Sequence, residues 1–359
     1  LFYGGVTMHR RSRRLPELDV AKGLAMFLVV FGHILKFKSP VFNWIFSFHM
    51  PLFFFLTGMT FRPEKYKSLG QAVKNKLRTR LFPYFAITFA GFVICLIRPS
   101  YRIYMVMTGV KNELLAIFYY AQPAGLYVGQ VWVLAVLFFA ETGFYLWHRR
   151  FRNSSLLVRL STLTAAALAG IEFLPWVNWL MWKYRPLGLS SIPWKLDTAC
   201  VAFVFLAAGY YAGRADLLNR LQPLYWLLFP LLVWSNYLFG PQAGGYSNMC
   251  DGVYPPAPLY LTAAFTGILA LSLTAVKWKR WRFWQFCGRH SMAIFAAQTF
   301  VNYLVAEGYQ LLTGEWLEPM LSVDSEWMAL GFACVSFGIM VGVLWVYEVL
   351  KKRLRRRIS

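Results

Sequence analysis

The sequence predicts an all-α fold, a polytopic membrane helix bundle of about ten transmembrane helices with both termini in the cytoplasm. Three observations support this prediction. Hydrophobic side chains make up 58% of the 359 residues, a larger share than soluble domains have. Apolar runs long enough to cross a bilayer recur along the chain. Basic residues are concentrated in alternate connecting segments, as the positive-inside rule describes for cytoplasmic loops.

The apolar runs divide the chain into ten predicted spans. These cover residues 20–36, 41–61, 81–97, 126–147, 155–174, 193–213, 221–239, 257–276, 290–312 and 326–350. The chain is thus predicted to have a basic cytoplasmic N-terminal segment (1–19), a transmembrane domain in the lipid bilayer (20–350) and a basic cytoplasmic tail (351–359).

The distribution of charge supports this topology. Basic clusters occur at the N-terminus, at 62–80, 148–154 and 277–289, and in the tail, whereas 240–256 and 313–325 contain no lysine or arginine. Two termini on the same side require an even number of spans, and ten spans meet that condition. The net charge of +22 does not indicate a nucleic-acid partner, because the basic residues separate apolar runs instead of forming a soluble basic face. The five cysteines lack metal-ligand spacing, and no metal site is predicted.

The first predicted span contains two ionisable residues, Lys22 and His33. A charged side chain within hydrocarbon costs a few kcal/mol, so each one suggests a function. On a helix the two residues share one face and lie about 16 Å apart. Asp19 precedes Lys22 by one turn and can pair with it. Two simpler interpretations remain open: Lys22 can extend to the headgroups, and His33 can be an interfacial histidine.

Two more ionisable residues are predicted to lie near the depth of His33. His49, in the second span, either supports a kink beside Pro51 or assists catalysis. Asp197 enters the sixth span from the outer side, where it can form an acid–base pair with His33. The alternative for Asp197 is a helix cap or a partner for the nearby Lys195.

Glu141 and His290 are predicted to lie toward the cytoplasmic side. Glu141 is level with Lys22 and is either a charge partner for the cytoplasmic cations or a carboxylate that packs between helices. His290 opens the ninth span, far in depth from His33. It either assists phosphate binding or is an interfacial histidine.

Together these segments resemble the acyltransferase family 3 membrane O-acyltransferases, with the greatest similarity to the fucose 4-O-acetylase-like branch. The resemblance covers nearly the whole chain. The segments that carry it are "LDVAKGLAMFLVVFGH" (18–33), "FHMPLFFFLTG" (48–58), "KLRTRLFPYF" (76–85), "VWVLAVLF" (131–138), "PWKLDTACVAFVFLAAGYYAG" (193–213) and "CGRHSMAIFAAQTF" (287–300).

The resemblance implies a multi-pass enzyme of the bacterial inner membrane, an acyl-CoA-dependent O-acyltransferase of class EC 2.3.1. Its donor would be acetyl-CoA, and its acceptor a sugar hydroxyl of a surface polysaccharide or of a lipid-linked precursor. The motif histidine corresponds to His33 and the motif basic residue to Lys22. This chain has His290 where the family often has asparagine, and Gln298 where it often has histidine, so neither position is assigned a catalytic role.

The positions of the ionisable residues agree with this chemistry. Coenzyme A carries its phosphates and its thioester at opposite ends of a long arm. The phosphates are expected to bind cytoplasmic cations, namely Lys22, Lys76, Arg78 and Arg80. The thioester would then reach His33, where a neutral imidazole can take the proton of the attacking hydroxyl. Direct transfer and an acyl-histidine intermediate both remain open.

A transporter or flippase of lipid-linked sugars is the alternative function. Ten spans with intramembrane charges suit a transporter as well. However, the chain shows no internal repeat. Lys22 and His33 also span half the membrane, whereas transporter sites cluster near its midplane.

Overall fold

The computed structural model describes residues 15–97, 109–123, 128–315 and 323–358, and these form helices with no β-strand. This confirms the all-α prediction. The helices are α1 (Pro16–Gly32), α2 (Pro40–Phe46), α3 (His49–Thr60), α4 (Leu69–Lys76), α5 (Phe82–Ile97), α6 (Val110–Phe118), α7 (Trp132–Phe151), α8 (Leu156–Leu168), α9 (Leu174–Tyr184), α10 (Leu196–Arg214), α11 (Leu217–Leu221), α12 (Tyr225–Tyr237), α13 (Ala257–Lys277), α14 (Arg282–Arg289), α15 (Ser291–Thr313) and α16 (Glu326–Ile358).

Within the described ranges, seven helical segments are long and apolar enough to cross a membrane, which supports a multi-pass membrane protein. They are Pro40–Thr60, Leu69–Ile97, Gly129–Phe151, Leu156–Tyr184, Pro193–Arg214, Ala257–Lys277 and Glu326–Arg355. The other three predicted spans coincide with α1, α12 and α15. Ten crossings with cytoplasmic termini therefore remain a prediction. Residues 1–14 of the predicted N-terminal segment and residue 359 of the tail lie outside the described residues.

The second predicted span is two helices. Ser39 caps α2 by accepting a hydrogen bond from the Phe42 amide at 3.2 Å, and Pro40 occupies the first helical position, where its missing N–H costs nothing. The helix then breaks at Ser47–Phe48, because Phe48 has φ −140° and ψ −18°. His49 begins α3, and its Nδ1 lies 2.9 Å from the Ile45 carbonyl oxygen across the break. This contact supports the predicted structural role of His49, but the break lies before His49 and not beside Pro51, which is in the first turn of α3.

Two other predicted spans are extended by π-helical turns. Residues Leu77–Leu81 join α4 to α5, and Ala169–Phe173 join α8 to α9. The third span therefore starts at residue 69 instead of 81, and the fifth continues to 184 instead of 174. A π-turn inserts an extra residue into a helix and is frequent at functional sites. The first of these turns follows Lys76 and contains Arg78 and Arg80, all three of which are predicted phosphate ligands.

Small residues allow the central helices to approach closely. A Cβ atom at Gly209 of α10 would lie 1.9 Å from the Phe55 carbonyl oxygen of α3, and one at Gly58 would lie 2.0 Å from the Leu206 carbonyl oxygen. Helix association in membranes depends on van der Waals packing, which such contacts maximise. Because Gly209 lies beside Phe55 and Gly213 beside Met59, α3 and α10 run parallel with a fixed register.

The spans separate into a centre and a periphery. In the most apolar windows of Pro40–Thr60 and Pro193–Arg214, 72% of residues are buried, compared with 22% for Leu69–Ile97 and 17% for Leu156–Tyr184. Exposed apolar side chains on the latter helices need a non-aqueous environment, since water would penalise them. The central helices thus form the core, and the peripheral helices present apolar faces to lipid.

The bundle has two distinguishable ends. We call the end that contains Lys22, Thr60 and Arg214 the basic end. The end that contains His33 and the start of α10 is the opposite end. At the opposite end, the Lys36 amide donates to the Val323 carbonyl oxygen at 3.1 Å, which joins the α1–α2 connection to the start of α16.

Candidate active site

A cavity of about 810 Å³ opens at the basic end between α1, α3, α4, the π-turn that follows α4, and α7. We call it the cationic cavity. Its charged lining residues are Asp19, Lys22, Arg62, Lys65, Lys76, Arg80 and Glu141. Five cations face two carboxylates, which leaves a net charge of +3 if all are ionised. A concave site with an excess of positive charge attracts anionic ligands.

A three-residue ion cluster forms one wall of this cavity. Lys76 Nζ lies 2.7 Å from Glu141 Oε1, and Arg80 Nε lies 2.7 Å from Glu141 Oε2. The Arg80 Nη2 atom also donates to Oε1 at 3.1 Å. The Glu141 side chain is 2% exposed and the Lys76 side chain 8%. Glu141 is therefore the charge partner of the basic residues, which is one of the two roles predicted for it.

The phosphate ligands predicted from sequence are not all brought together. Lys22, Lys76 and Arg80 line the cationic cavity. Arg78 is exposed and does not line it. Helical periodicity accounts for this difference, since residues 76 and 80 lie on the same face of the helix and residue 78 lies on another. Asp19 also lines the cavity, beside Lys22.

Arg62 and Lys65 line the cavity as well, although neither is among the phosphate ligands predicted from the sequence. Both belong to the basic segment 62–80, where their charge was interpreted only as a topology signal. Their position just after the second span is the sequence feature that could have indicated a role in the site. A short 3₁₀ turn at Pro63–Lys65 brings them back over the end of α3.

A smaller cavity of about 170 Å³ continues into the bundle, and we call it the inner cavity. It shares Lys22, Thr57, Thr60 and Arg80 with the cationic cavity. Its remaining lining is mostly apolar and comprises Met26, Met50, Phe53, Val133, Leu134, Leu137, Ser291, Met292 and Phe295. The two cavities together provide a charged entrance followed by an apolar interior.

His33 and His49 lie on either side of Phe46. The Phe46 ring centroid is 5.9 Å from that of His33 and 4.7 Å from that of His49. A carbonyl oxygen only accepts hydrogen bonds, so the His49 Nδ1 near the Ile45 oxygen carries the proton and Nε2 is left as an acceptor. The Nδ1 atom of His33 is buried and has no hydrogen-bond partner among the described residues.

Neither histidine lines the cationic or the inner cavity, but the inner cavity extends toward both. Met50, which lines it, follows His49 directly, and Met26 precedes His33 by two helical turns. The predicted separation of about 16 Å between Lys22 and His33 corresponds to the path from the cationic cavity to this region, because α1 is helical from Pro16 to Gly32.

The expected pairing of His33 with Asp197 does not occur in the described part of the chain. Asp197 Oδ2 instead accepts a hydrogen bond from Asn178 Nδ2 at 2.7 Å. Lys195 is not its partner either, because Lys195 Nζ donates to the Cys250 carbonyl oxygen at 2.5 Å. The register of α10 against α3 places Asp197 about 9 Å beyond His49 along the helix axis.

His290 does not line either cavity. Its Nε2 lies 3.5 Å from Glu348 Oε1 on α16, and its Nδ1 lies 3.0 Å from the Phe286 carbonyl oxygen. His290 therefore joins the start of α15 to the last helix. In the described residues, no group of three His, Cys, Asp or Glu side chains is placed to hold a metal ion.

Two buried amides lie further along α15. Gln298 is fully buried and Asn302 is 3% exposed. Neither carboxamide has a hydrogen-bond partner among the described residues. Gln298 follows Phe295, a lining residue of the inner cavity, by one turn. Buried polar groups are normally satisfied, so these amides mark a polar region beyond the apolar lining.

The chain was compared with protein families, curated proteins and solved structures. A family model described as an acyltransferase domain, that of acyltransferase family 3, matches residues 15–349. No curated protein and no solved structure matches the chain. The family match includes the helices that form the cationic cavity, the inner cavity and the two histidines. Because it spans nearly the whole chain, the protein belongs to acyltransferase family 3 and is a membrane acyltransferase.

Proposed function

We propose that the protein is an acetyl-CoA-dependent O-acyltransferase of the bacterial inner membrane, with its basic end in the cytoplasm. The acceptor is a sugar hydroxyl of a cell-surface polysaccharide or of its lipid-linked precursor. The observation that carries the proposal is the cationic cavity and its continuation into an apolar inner cavity. A donor with phosphates at one end and a thioester at the other needs both environments.

The cationic cavity suits the phosphates of the donor. Its net positive charge favours a polyanion, and the Arg80 and Arg62 guanidinium groups offer paired N–H donors that match phosphate oxygens. Glu141 already accepts from Lys76 and Arg80, so these two cations are held in place before a ligand arrives. A preorganised site loses less entropy when it binds.

The inner cavity suits the arm that carries the thioester. Thr57 and Thr60 lie at its entrance, and methionine and phenylalanine side chains line its interior. Methionine is flexible and fills irregular spaces, so this lining can adapt to an elongated ligand. An arm that enters beside Lys22 and continues past Met26 and Met50 approaches the region of His33 and His49.

His33 is the proposed general base. The acceptor oxygen forms a bond to the thioester carbonyl carbon, and the hydroxyl proton moves to the imidazole. The carbon–sulfur bond then breaks, and the proton passes to the departing thiolate, so that the products are the ester and free coenzyme A. In the acyl-histidine alternative, His33 itself receives the acetyl group before the sugar does. Both routes require an imidazole at position 33.

The test uses purified protein in proteoliposomes with radiolabelled acetyl-CoA and p-nitrophenyl glycosides as acceptors. We expect His33→Ala to reduce kcat at least about 100-fold, which is the usual contribution of a general base. His148→Gln is the control, because His148 lies outside both cavities. Full transfer by His33→Ala at equal folded protein would contradict the role of His33.

The donor site is tested by removing equal charges from inside and outside the cationic cavity. We expect Arg62→Ala to raise the KM for acetyl-CoA roughly tenfold with a smaller change in kcat, since it removes a charge-assisted contact to the bound donor. Arg78→Ala is the matched control, because Arg78 is exposed outside the cavity. Equal effects of the two substitutions would show that overall charge, and not the cavity, attracts the donor.

The transporter alternative is less well supported, because the family to which the chain belongs is one of acyltransferases. It predicts that the proteoliposomes move lipid-linked sugar across the membrane without consuming acetyl-CoA. The same preparation can be assayed for both activities. Translocation without transfer would replace the proposal above.

A further inference from the structure

A third cavity, of about 460 Å³, lies at the opposite end of the bundle. Its walls are α9, the segment before α10, the start of α10 and the loop around residue 252. None of its lining residues lines the cationic or the inner cavity. It is therefore a separate site, and the mechanism above gives it no role. We call it the outer cavity.

The polar side of the outer cavity is centred on Asp197. This carboxylate is 3% exposed, and its one hydrogen bond in the described structure comes from Asn178. The Asn178 Oδ1 atom in turn accepts from the Ile192 amide at 2.8 Å, which holds the asparagine side chain in place. A carboxylate can accept about four hydrogen bonds. Asp197 thus retains acceptor capacity for a ligand with several hydroxyl groups.

The apolar side of the outer cavity includes two indole rings, together with Ile171, Pro175, Ile192 and Val253. Trp179 and Trp182 lie one turn apart on α9, and both line the cavity. The two residues remain 49% and 59% exposed. Lys183 Nζ lies over the Trp179 ring, 5.0 Å from its centroid, which leaves the other face of this ring for contact. A pocket with aromatic surface on one side and a few fixed polar groups on the other is typical of a small-molecule site. A sugar ring has an apolar C–H face and hydroxyl edges that match these two sides.

The charge of the outer cavity distinguishes its ligand from that of the cationic cavity. Asp197 and Asp251 face the single cation Lys195, and Lys195 is bonded to the Cys250 carbonyl oxygen. A net negative charge disfavours phosphates and anionic headgroups. A neutral polyhydroxyl compound meets no such repulsion.

The loop beside Asp197 connects the outer cavity to His33 and His49 through a series of side-chain contacts. Gly252 has φ +65°, and a Cβ atom there would lie 3.0 Å from Asp197 Oδ2. The loop is closed by two hydrogen bonds between Asn248 and Val253, of 2.8 and 3.0 Å. Tyr246, at its start, stacks on Phe42 with ring centroids 6.1 Å apart. Phe42 stacks on Phe46 at 3.8 Å, and Phe46 is the ring between His33 and His49.

We infer that the outer cavity binds the sugar ring of the acyl acceptor, with Trp179 and Trp182 against its C–H face and Asp197 accepting from its hydroxyls. This inference rests on the proposed function, because it supplies the second substrate of that reaction. Donor and acceptor then enter from opposite ends of the bundle. Asp197 is in this view a binding residue and not a partner of the general base.

The kinetic test compares Asp197→Asn and Trp179→Ala with wild type, again with p-nitrophenyl glycosides and acetyl-CoA. We expect each to raise the glycoside KM about tenfold, the effect of one lost charge-assisted or aromatic contact, and to leave the acetyl-CoA KM unchanged. Trp176→Ala is the matched control, since Trp176 is on the same helix, 53% exposed, and outside the cavity. Unchanged glycoside KM values in an active enzyme would overturn the inference and leave the proposed function intact.

A binding test separates the inference from the transfer reaction. Ser191→Cys places a thiol in the lining of the outer cavity, and peptide mass spectrometry reports its labelling by a maleimide separately from that of the native cysteines. We expect the glycosides to slow this labelling, and Asp197→Asn to remove the protection. Absence of protection in the Ser191→Cys protein that retains Asp197 overturns the inference whatever the transfer assay gives. Protection without any transfer would instead contradict the proposed function.

Discussion

At the scale of single residues, Glu141 shows how one buried carboxylate organises a site. It lies within hydrogen-bond distance of both Lys76 and Arg80, which come from the helix that contains the π-turn. Lys76 Nζ also lies 4.8 Å from the Phe61 ring centroid. A buried cation needs such compensation, because it loses its hydration on burial. Glu141 thus fixes the positions of two cations that the proposed donor would contact.

Glu141→Gln is expected to destabilise the protein by about 3 kcal/mol, because both cations would lose a buried ionic partner. The measurement is the melting temperature in detergent at a fixed heating rate. Glu64→Gln is the control, since Glu64 pairs with Arg214 and both side chains are more than half exposed. Surface pairs of this kind contribute less than about 1 kcal/mol. Similar shifts for the two variants would contradict the importance of burial.

At the scale of helices, the contact between α3 and α10 positions both ends of the site. The close approach of Gly209 to Phe55 sets how far α10 extends past α3. This register places Asp197 in the outer cavity. It places His49 closer to the basic end than Asp197. The break before His49 has a complementary effect, because it turns Phe46 between the two histidines. Helix packing therefore determines which ionisable residues can act together.

Gly209→Ala is expected to reduce the yield of folded protein, because its new Cβ would lie 1.9 Å from a backbone oxygen that cannot move independently. Gly143→Ala is the matched control, since no atom lies within 4 Å of a Cβ built on this glycine in α7. Yield is measured as the monodisperse fraction in size-exclusion chromatography after detergent extraction. A Gly209→Ala protein that elutes like wild type would show that the helices separate easily.

At the scale of the whole molecule, the two ends of the bundle differ in charge. The cationic cavity has a net charge of +3 and the outer cavity a net charge of −1 if all groups are ionised. The connecting segments have the same asymmetry, with basic clusters at 62–80 and 277–289 and no lysine or arginine at 240–256. In a membrane this asymmetry sets the orientation, and it would separate a polyanionic donor from a neutral acceptor.

This orientation predicts where reporters fused to the protein will be active. We expect green fluorescent protein after residue 359 to fluoresce and alkaline phosphatase at the same position to be inactive. Alkaline phosphatase inserted after Ala243, which is exposed in a connection at the opposite end, is expected to be active. The reverse pattern would contradict cytoplasmic termini, and activity of the same reporter at both positions would contradict ten crossings.

The sequence by itself determined the class of structure. Hydropathy and charge report on single segments, because each segment must match the bilayer or the water beside it. The helical membrane fold could therefore be predicted, and the resemblance of several segments predicted the family. Lys22 lies on α1, whereas His33 follows the last residue of that helix, Gly32. For His49 the sequence allowed two interpretations, a structural role at a kink and a role in catalysis. For Glu141 it also allowed two, an ionic partner and a carboxylate that packs between helices.

Only the tertiary structure decided which side chains converge. Helical periodicity relates residues on one helix, whereas the rotation and depth of one helix against another depend on packing contacts such as Gly209 with Phe55. For this reason Arg62 and Lys65, which follow α3, join the cationic cavity. For the same reason Asp197 meets Asn178 and not His33, since its partner is set by the neighbouring helix and not by its own position in the chain.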